Sequence, residues 1–279
     1  MQELNLTNPA DAVDRYIGRL YRSALSVPPE NFREWALAEL RSVVSYDGAL
    51  WGSGSLPRWQ FHNVVTVGLP PEFPRTLEQT HEINPLVPHI LANLGAPVDM
   101  RSVVPDARFF KSEIYQRCFE PFGINRILST LHLDPRSGLY SLLTLYRKDR
   151  KQSFAEEDQQ RQQRATFHLF NAASHAFFLH LMRTPTDRPA ESAAAAIDHE
   201  GMFLEAQPRF LELLEQYFPG RTPYTLPFEL PPKGETTVIE GLCIRCEPLT
   251  DFNYVFIWPA GALDRLTQRE REIVYAVAH

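Results

Sequence analysis

The sequence predicts an α+β protein made of two consecutive modules. Two helical patterns open the chain, strand-like patterns follow them, and a long helical pattern ends the first module. A polar stretch punctuated by prolines, at residues 184–192, then leads into a smaller set of strands around one helix. The 279 residues suffice for about two domains of roughly 150 residues each.

The first module begins with helices and continues into strands. Apolar residues recur at helical spacing over residues 9–27 and again after Pro28 and Pro29, and β-branched and aromatic residues then predict strands. We expect strands at 48–52, 61–69, 98–104, 127–133 and 139–146, two short helices within 71–95 that are broken at Pro85, and another short helix at 111–120.

The clearest strand pair is the hairpin whose loop is residues 134–138. That connector contains Pro135 and Gly138, and its five residues have the length and composition of a hairpin loop. Both flanking strands are apolar on both faces, so we expect them in the middle of a sheet that is covered on each side.

A long helix is predicted to close the first module. Ser153 followed three residues later by Glu156 matches a capping box, which predicts a helix from there to about residue 182. We expect one face of this helix to carry Phe167, Phe170, Ser174, Phe177 and Leu181.

The smaller module alternates strands and one helix. The pattern predicts the order strand, strand, helix, strand, strand. We expect the strands at 193–198, 202–205, 236–247 and 254–258, and the helix at 207–218.

Composition restricts the compartment and the partners. The formal net charge is −6 and the hydrophobic fraction is 44%, so the chain can bury a core but lacks the overall basic character of a nucleic-acid-binding protein. Three cysteines do not make a disulfide framework. There is no signal-peptide pattern at the N-terminus and no apolar run of about 20 residues. We therefore expect a soluble cytoplasmic protein.

No catalytic motif is present, and we expect neither an enzyme nor a metal or cofactor site. Cys243 and Cys246 form a single C-x-x-C, but residues three apart on a strand face opposite sides. His168 and His175 share a helix face without the acid or cysteine cluster that a metal site would need.

Aromatic and apolar residues on the predicted sheet of the first module are candidate ligand contacts, because binding pockets are mostly apolar with a few polar groups. Ordinary core packing is the alternative for each of them. A second set of residues is basic and is either solvated or placed to meet an anionic effector. The apolar candidates are Trp51, Phe61, Tyr115, Phe119, Leu131 and Leu143, and the basic set is Arg101, Arg108, Lys111 and Arg126.

The end of the chain carries a motif. Thr267 can cap a helix, and Glu270 lies three residues further on. This stretch resembles the opening helix of the LuxR-type helix-turn-helix, which usually begins Leu-Thr-x-Arg-Glu-x-Glu-Val. The matching residues are Leu266, Thr267, Arg269, Glu270 and Glu272, with Ile273 in the place of the valine.

Three further stretches, 115–123, 145–149 and 196–201, resemble the GAF-like and PAS-like domains that precede such helix-turn-helix domains. The resemblance implies four segments. They are a GAF-like sensory domain (1–183), a linker (184–192), a PAS-like domain (193–262) and the incomplete start of a helix-turn-helix (263–279).

The resemblance implies a ligand-responsive bacterial transcription regulator. Its effector is expected to be a small apolar or aromatic molecule, and its helices at 9–44 and 153–182 are candidate homodimer contacts. Because the turn and the recognition helix would follow His279, DNA is expected as a partner of the full-length protein but not through this chain. Two alternatives stay open: a stand-alone ligand-binding or dimerisation module that acts through protein partners, and a GAF-fold enzyme with a reactive cysteine such as Cys118.

Overall fold

The computed structural model describes residues 9–56, 59–182, 189, 191–198, 201–222, 224–249, 252–262 and 264. It divides into two compact units, one comprising Met1–Leu133 and Tyr140–Thr184 and the other comprising Asp134–Leu139 and Pro185–His279. Each unit is an α+β fold around a five-stranded sheet, and the resolved strand pairs are antiparallel. The predicted α+β fold class is therefore confirmed.

The sheet of the first unit has the order β2-β1-β5-β4-β3. A π-helix at Tyr115–Phe119 and 3₁₀ turns at His81–Ile83 and Glu120–Phe122 complete the unit. The strands are β1 (Gly48–Ser55), β2 (Gln60–Val67), β3 (Val98–Asp99), β4 (Arg126–Leu133) and β5 (Leu139–Arg147). The helices are α1 (Pro9–Ser23), α2 (Pro29–Leu40), α3 (Phe73–Gln79), α4 (Leu86–Ala92), α5 (Met100–Val103), α6 (Asp106–Phe109) and α7 (Glu156–Met182).

The hairpin of β4 and β5 forms as predicted. Its register runs from Arg126 opposite Arg147 to Leu133 opposite Tyr140. Successive residues of a strand point to opposite faces, and here both faces are buried under apolar residues. One core lies between the sheet and α1, α2 and α7, and the other lies between the sheet and the segment from α3 to the π-helix.

The strand predicted at 98–104 is wrong beyond its second residue. Val98 and Asp99 pair with β4, but the chain then turns into α5. Asp99 causes the change because its Oδ1 accepts a hydrogen bond from the backbone N–H of Arg101 at 2.9 Å, as an N-cap residue does. The short helix predicted at 111–120 is a π-helix followed by a 3₁₀ turn.

The long helix α7 is correctly predicted in its extent but not in its cap, and the residues of the predicted face differ in burial. It begins at Glu156, and the Asp158 carboxylate accepts from the N–H of Ala155 at 3.0 Å, while the Ser153 hydroxyl accepts from Arg101 instead. Phe167 is 54% exposed. The residues of α7 that pack in the core are mainly small, and they include Ala165, Leu169, Ala172 and Ala176.

The sheet of the second unit has the order β7-β6-β10-β9-β8. This is the same order as in the first unit, with β6 in the place of β1, β7 in the place of β2, and so on. The helix packs on one face of this sheet around a single apolar core. The elements are β6 (Ala193–Ile197), β7 (Phe203–Ala206), α8 (Pro208–Tyr217), β8 (Thr236–Ile239), β9 (Leu242–Leu249) and β10 (Phe252–Pro259).

The single strand predicted at 236–247 is a hairpin, so the unit has one strand more than expected. Glu240 and Gly241 connect β8 and β9 with φ angles of +50° and +85°. Two consecutive residues in the left-handed region make the type I′ turn that suits a two-residue hairpin loop. Across the described parts of both units, no helix is long and apolar enough to cross a membrane.

Candidate functional site

The first unit encloses a cavity between its sheet and the segment that carries α3 and α4. Its free volume is about 50 Å³, enough for a few water molecules at roughly 10–15 Å³ each. Most of its walls are apolar. The lining residues are Trp59, Phe61, Leu77, Glu78, His81, Asn84, Leu86, Val87, Ile90, Phe119, Ile127, Ser129, Tyr140, Leu142, Thr144 and Tyr146.

The floor of the cavity is the β4–β5 hairpin. Ile127 lies opposite Tyr146, and Ser129 lies opposite Thr144. The hydroxyls of Ser129 and Thr144 are 3.0 Å apart, so each partners the other. Alternate residues of a strand project to the same face, and β5 therefore presents Tyr140 and Tyr146 to the same cavity.

Two tyrosine hydroxyls of the floor lack hydrogen-bond partners among the described residues. Tyr140 is 2% exposed and Tyr146 is 1% exposed, and the hydroxyl oxygen of each is buried without a partner. The Thr144 hydroxyl interacts with Tyr146 and slightly lowers its pKa, but it makes its hydrogen bond of ordinary geometry, at 3.0 Å, with Ser129. A buried polar group without a partner costs about 1–3 kcal/mol and calls for an explanation, such as a bound ligand or water.

Both tyrosines are neutral hydrogen-bonding groups at physiological pH. Burial raises the pKa of Tyr140, and the neighbouring Glu78 carboxylate raises it further. Burial also raises the pKa of Tyr146, with a smaller contribution from Cys118. Each phenol can therefore donate one hydrogen bond and accept others.

Aromatic rings form the wall beside Tyr140. The ring centroid of Trp59 lies 5.3 Å from that of Tyr140, and the centroid of Phe61 lies 6.3 Å from it. Trp59 has a φ of +52°, a left-handed conformation that strains the backbone of a bulky residue. Strain of this kind concentrates at ligand clamps and active sites.

Two glycines of β1 make room for these rings. A Cβ atom at Gly52 would lie 2.2 Å from the Phe61 ring, and one at Gly54 would lie 2.4 Å from the Tyr140 hydroxyl oxygen. Glycines within a strand often mark the close approach of another group. The alternation of Gly52 and Gly54 is therefore a sequence signal that could have pointed to this wall, although the sequence analysis did not use it.

Hydrogen-bond acceptors line the opposite side of the cavity. Glu78 Oε1 accepts from the N–H of Phe61 at 2.7 Å, which ties α3 to β2. His81 Nδ1 is 2.8 Å from the carbonyl oxygen of Glu78; since a carbonyl only accepts, Nδ1 is the donor of this hydrogen bond. Asn84 Oδ1 accepts from the N–H of Leu86 at 3.0 Å. The described lining contains neither lysine nor arginine.

The six predicted ligand contacts are distributed over both faces of the sheet. Phe61 and Phe119 line the cavity. Tyr115 and Leu131 belong to the core on the same face but not to the lining, and Trp51 and Leu143 pack in the core on the other face. A role in ligand binding stays a prediction for all six. Sequence analysis did not single out Glu78, Tyr140 or Tyr146.

The basic residues considered as anion contacts lie away from the cavity. Arg126 is buried and forms a bidentate pair with the Asp106 carboxylate, with distances of 2.7 and 2.8 Å. These hydrogen bonds lower the pKa of Asp106. Arg101 donates to the Ser153 hydroxyl, and Arg108 and Lys111 are exposed. Arg126 therefore neutralises a carboxylate of its own chain.

The three cysteines are buried, and none of them is in a disulfide. Burial raises the pKa of Cys118 to about 11, and the Thr80 hydroxyl only partly offsets the effect, so little of the reactive thiolate is present at neutral pH. Cys243 and Cys246 both lie on β9. Within the described ranges, no group of three or more His, Cys, Asp or Glu side chains is arranged to hold a metal ion.

The helix-turn-helix motif at Leu266, Thr267, Arg269 and Glu270 lies outside the described residues. No protein-family model matches the chain, and no curated protein sequence matches it.

Several solved structures are similar to part of the chain. The LuxR-family, N-acylhomoserine lactone-dependent transcription factor CepR2 from Burkholderia cenocepacia is 17% identical, with a TM-score of 0.42, over 61% of this chain and 98% of that one. The ligand-binding domain of VqsR from Pseudomonas aeruginosa is 14% identical, with a TM-score of 0.44, over 60% and 97%. A phycoerythrobilin-bound GAF domain from a cyanobacterial phytochrome is 14% identical, with a TM-score of 0.42, over 62% and 98%.

Replacing Tyr146 by phenylalanine should leave the ligand-free protein as stable as before or stabilise it by up to about 1 kcal/mol, because the change removes a buried hydroxyl without a partner. Urea denaturation of the two proteins measures the difference. A loss of more than about 1 kcal/mol would show instead that the hydroxyl makes a stabilising hydrogen bond in the folded protein.

Proposed function

We propose that this chain is the sensory region of a ligand-responsive transcription regulator and that its first unit binds a small molecule in the cavity. The observation that carries the proposal is the pair of tyrosine hydroxyls, Tyr140 and Tyr146, which are buried in the lining and find no hydrogen bond of ordinary geometry within the described ranges. Folded proteins rarely leave such groups unpaired. A ligand that bonds to them would recover the energy that their burial costs.

The cavity is placed so that a ligand can influence two parts of the unit. Its walls come from the hairpin of β4 and β5 and from the segment of α3 and α4. Phe119 lines it from the π-helix, whose Tyr115 donates to Asn125 and accepts from Arg150. A ligand shifts a conformational equilibrium only when it binds one conformation better. We propose that it does so by fixing α3 and α4 against the sheet.

The regulatory output is proposed from the sequence. The motif that starts at Leu266 resembles the first helix of a LuxR-type helix-turn-helix, and we propose that the output of this sensory region is DNA binding by such a domain. Such domains read paired half-sites as dimers. We propose a homodimer formed through α1, α2 and α7. The exposed apolar side chains there include Tyr21 on α1, Leu25 in the turn that follows α1, and Phe167 on α7.

Ligand extraction and thermal unfolding test the central claim. Purified protein is extracted, the extract is identified by mass spectrometry, and unfolding is measured against a panel of small metabolites. A ligand at about 100 times its dissociation constant should stabilise the native state by roughly 2.7 kcal/mol. If nothing is extracted and no compound changes the unfolding temperature, the proposed sensory role is wrong.

A matched pair of variants localises the effect. Val87→Phe adds a ring to the α4 wall of the cavity, and it should abolish the stabilisation by ligand. Val64→Phe makes the same change on β2 at an exposed residue that is not part of the lining, and it should leave the stabilisation unchanged. Equal stabilisation of both variants would place the ligand elsewhere.

A further inference from the structure

The described lining of the cavity is rich in acceptors and carries a single sign of charge. Glu78, His81 and Asn84 follow one another at intervals of three residues, in α3, in the 3₁₀ turn and directly after that turn, and all three line the cavity. Glu78 contributes a carboxylate, His81 contributes Nε2, which is an acceptor in the tautomer that donates through Nδ1, and Asn84 contributes an amide oxygen. This side of the cavity therefore favours a ligand group with several N–H donors.

The aromatic side favours the same kind of group. The ring centroids of Trp59 and Phe61 lie 5.3 and 6.3 Å from that of Tyr140, and all three residues line the cavity. The face of an aromatic ring is electron-rich and attracts a cation within about 6 Å of its centroid. Aromatic rings next to a carboxylate are the combination that recognises organic ammonium ions.

An anionic ligand does not suit this lining. A carboxylate or phosphate placed in the cavity would approach Glu78, and the described lining has neither lysine nor arginine to compensate. Arg126, the buried member of the basic set considered as anion contacts, already forms an ion pair with Asp106. A like charge held in a partly buried site costs free energy because little water screens it.

We propose that the ligand of this cavity carries an ammonium group, which is seated between the acceptors Glu78, His81 and Asn84 and the rings of Trp59 and Tyr140. An ammonium ion offers three N–H donors and no acceptor, which matches the three acceptors. The free volume of about 50 Å³ suits the ammonium end of a small alkylamine. This inference rests on the proposed ligand-binding function and adds the charge of the ligand to it.

Three probes of similar length test the charge. Binding of n-butylamine, n-butanol and butyrate to the full chain is measured at pH 7 by titration calorimetry, where an alkylamine is protonated like a lysine side chain with its pKa of about 10.4. We expect n-butylamine to bind at least about ten-fold more tightly than n-butanol, as a cation–π contact and a charged hydrogen bond together predict. Butyrate should not bind measurably.

The variant Glu78→Gln isolates the carboxylate. It keeps an amide oxygen to accept from the N–H of Phe61 and removes only the charge. We expect the preference for n-butylamine over n-butanol to fall to about two-fold, and an unchanged circular dichroism spectrum shows that the variant is folded. Tyr140→Phe keeps the ring, and should retain most of the preference, whereas Tyr140→Leu should reduce it.

Each other outcome overturns the proposal. If n-butanol binds as tightly as n-butylamine, or butyrate binds best, the ligand is not selected for positive charge, although the cavity still binds small molecules. If Glu78→Gln leaves the preference unchanged, the cation does not meet Glu78. If none of the three probes binds, the ammonium assignment is wrong, and the metabolite panel decides separately whether the cavity binds any ligand.

Discussion

Replacing Arg147 by methionine should lower the free energy of unfolding by about 3–5 kcal/mol, the range for breaking a buried ion pair from one side. Arg147 is 7% exposed. Its guanidinium donates to the Asp158 carboxylate at 3.1 Å and to the carbonyl oxygens of Ser45 and Ser153 at 2.9 and 2.7 Å. It also lies 4.1 Å from the centre of the Phe154 ring. Methionine would replace the apolar volume but none of the donors.

The free energy of unfolding falls because the groups that Arg147 binds remain in place without a donor. The Asp158 side chain is only 17% exposed, so without Arg147 its carboxylate is held in a poorly solvated position. Asp158 also accepts from the N–H of Ala155 at the start of α7, and the same change therefore affects the junction between β5 and α7. Urea denaturation with matched m-values measures the loss as a shift of the midpoint.

Arg117→Met is the control for this prediction. Arg117 pairs with Glu113 one helical turn earlier, and both side chains are more than half exposed, so the loss should stay within about 0.5 kcal/mol. The double variant Arg147→Met with Asp158→Leu should recover part of the loss, since it removes the stranded carboxylate. A loss below about 1 kcal/mol for Arg147→Met alone would mean that the pair is solvated and contributes as little as a surface pair.

Local sequence patterns correctly predicted the elements whose burial follows from their own residues. The hairpin of β4 and β5 was predicted because both of its faces are apolar and its five-residue loop contains Pro135 and Gly138. The position of α7 followed from a long helical pattern. In these cases the same residues that set the local geometry also set the burial, so no information about distant partners was needed.

Local sequence patterns failed where a single side chain ends an element, or where a distant element determines which side of a helix is covered. Asp99 ends β3 by capping α5, although β-branched residues continue to Val104. Phe167 is exposed on α7, whereas Ala165 and Ala172 are buried. The side of a long helix that is covered depends on which helices pack against it, here α1 and α2, and their approach favours small residues that apolarity alone does not identify.

The candidate site shows the same limit. Phe61 and Phe119 were selected because they are aromatic residues on or near the predicted sheet. Glu78, Tyr140 and Tyr146 were missed because an unpaired buried hydroxyl, or a carboxylate beside it, is a property of the folded arrangement and not of any spacing. Only the glycines of β1 carried a readable signal for this wall.

Replacing Gly52 by alanine tests that signal directly, and it should cost about 2–3 kcal/mol, near the top of the range for overpacking. The new Cβ would lie 2.2 Å from one atom of the Phe61 ring and 2.4 Å from the next. Phe61 is held in place because its N–H donates to Glu78 and its ring packs beside Tyr140. The ring therefore has to move into the cavity, and ligand binding should weaken together with stability.

Gly18→Ala is the matched control, because the same methyl group is added in the middle of α1, where the nearest neighbour is the flexible end of Arg22 at 3.4 Å. Alanine has the higher helix propensity, so this variant should be more stable by about 0.5–1 kcal/mol. Opposite signs for the two substitutions in one denaturation experiment would attribute the loss at Gly52 to the Phe61 ring. If Gly52→Ala were neutral and bound ligand normally, the Phe61 ring would be free to move, and the wall that Phe61 forms beside Tyr140 would not be a fixed part of the site.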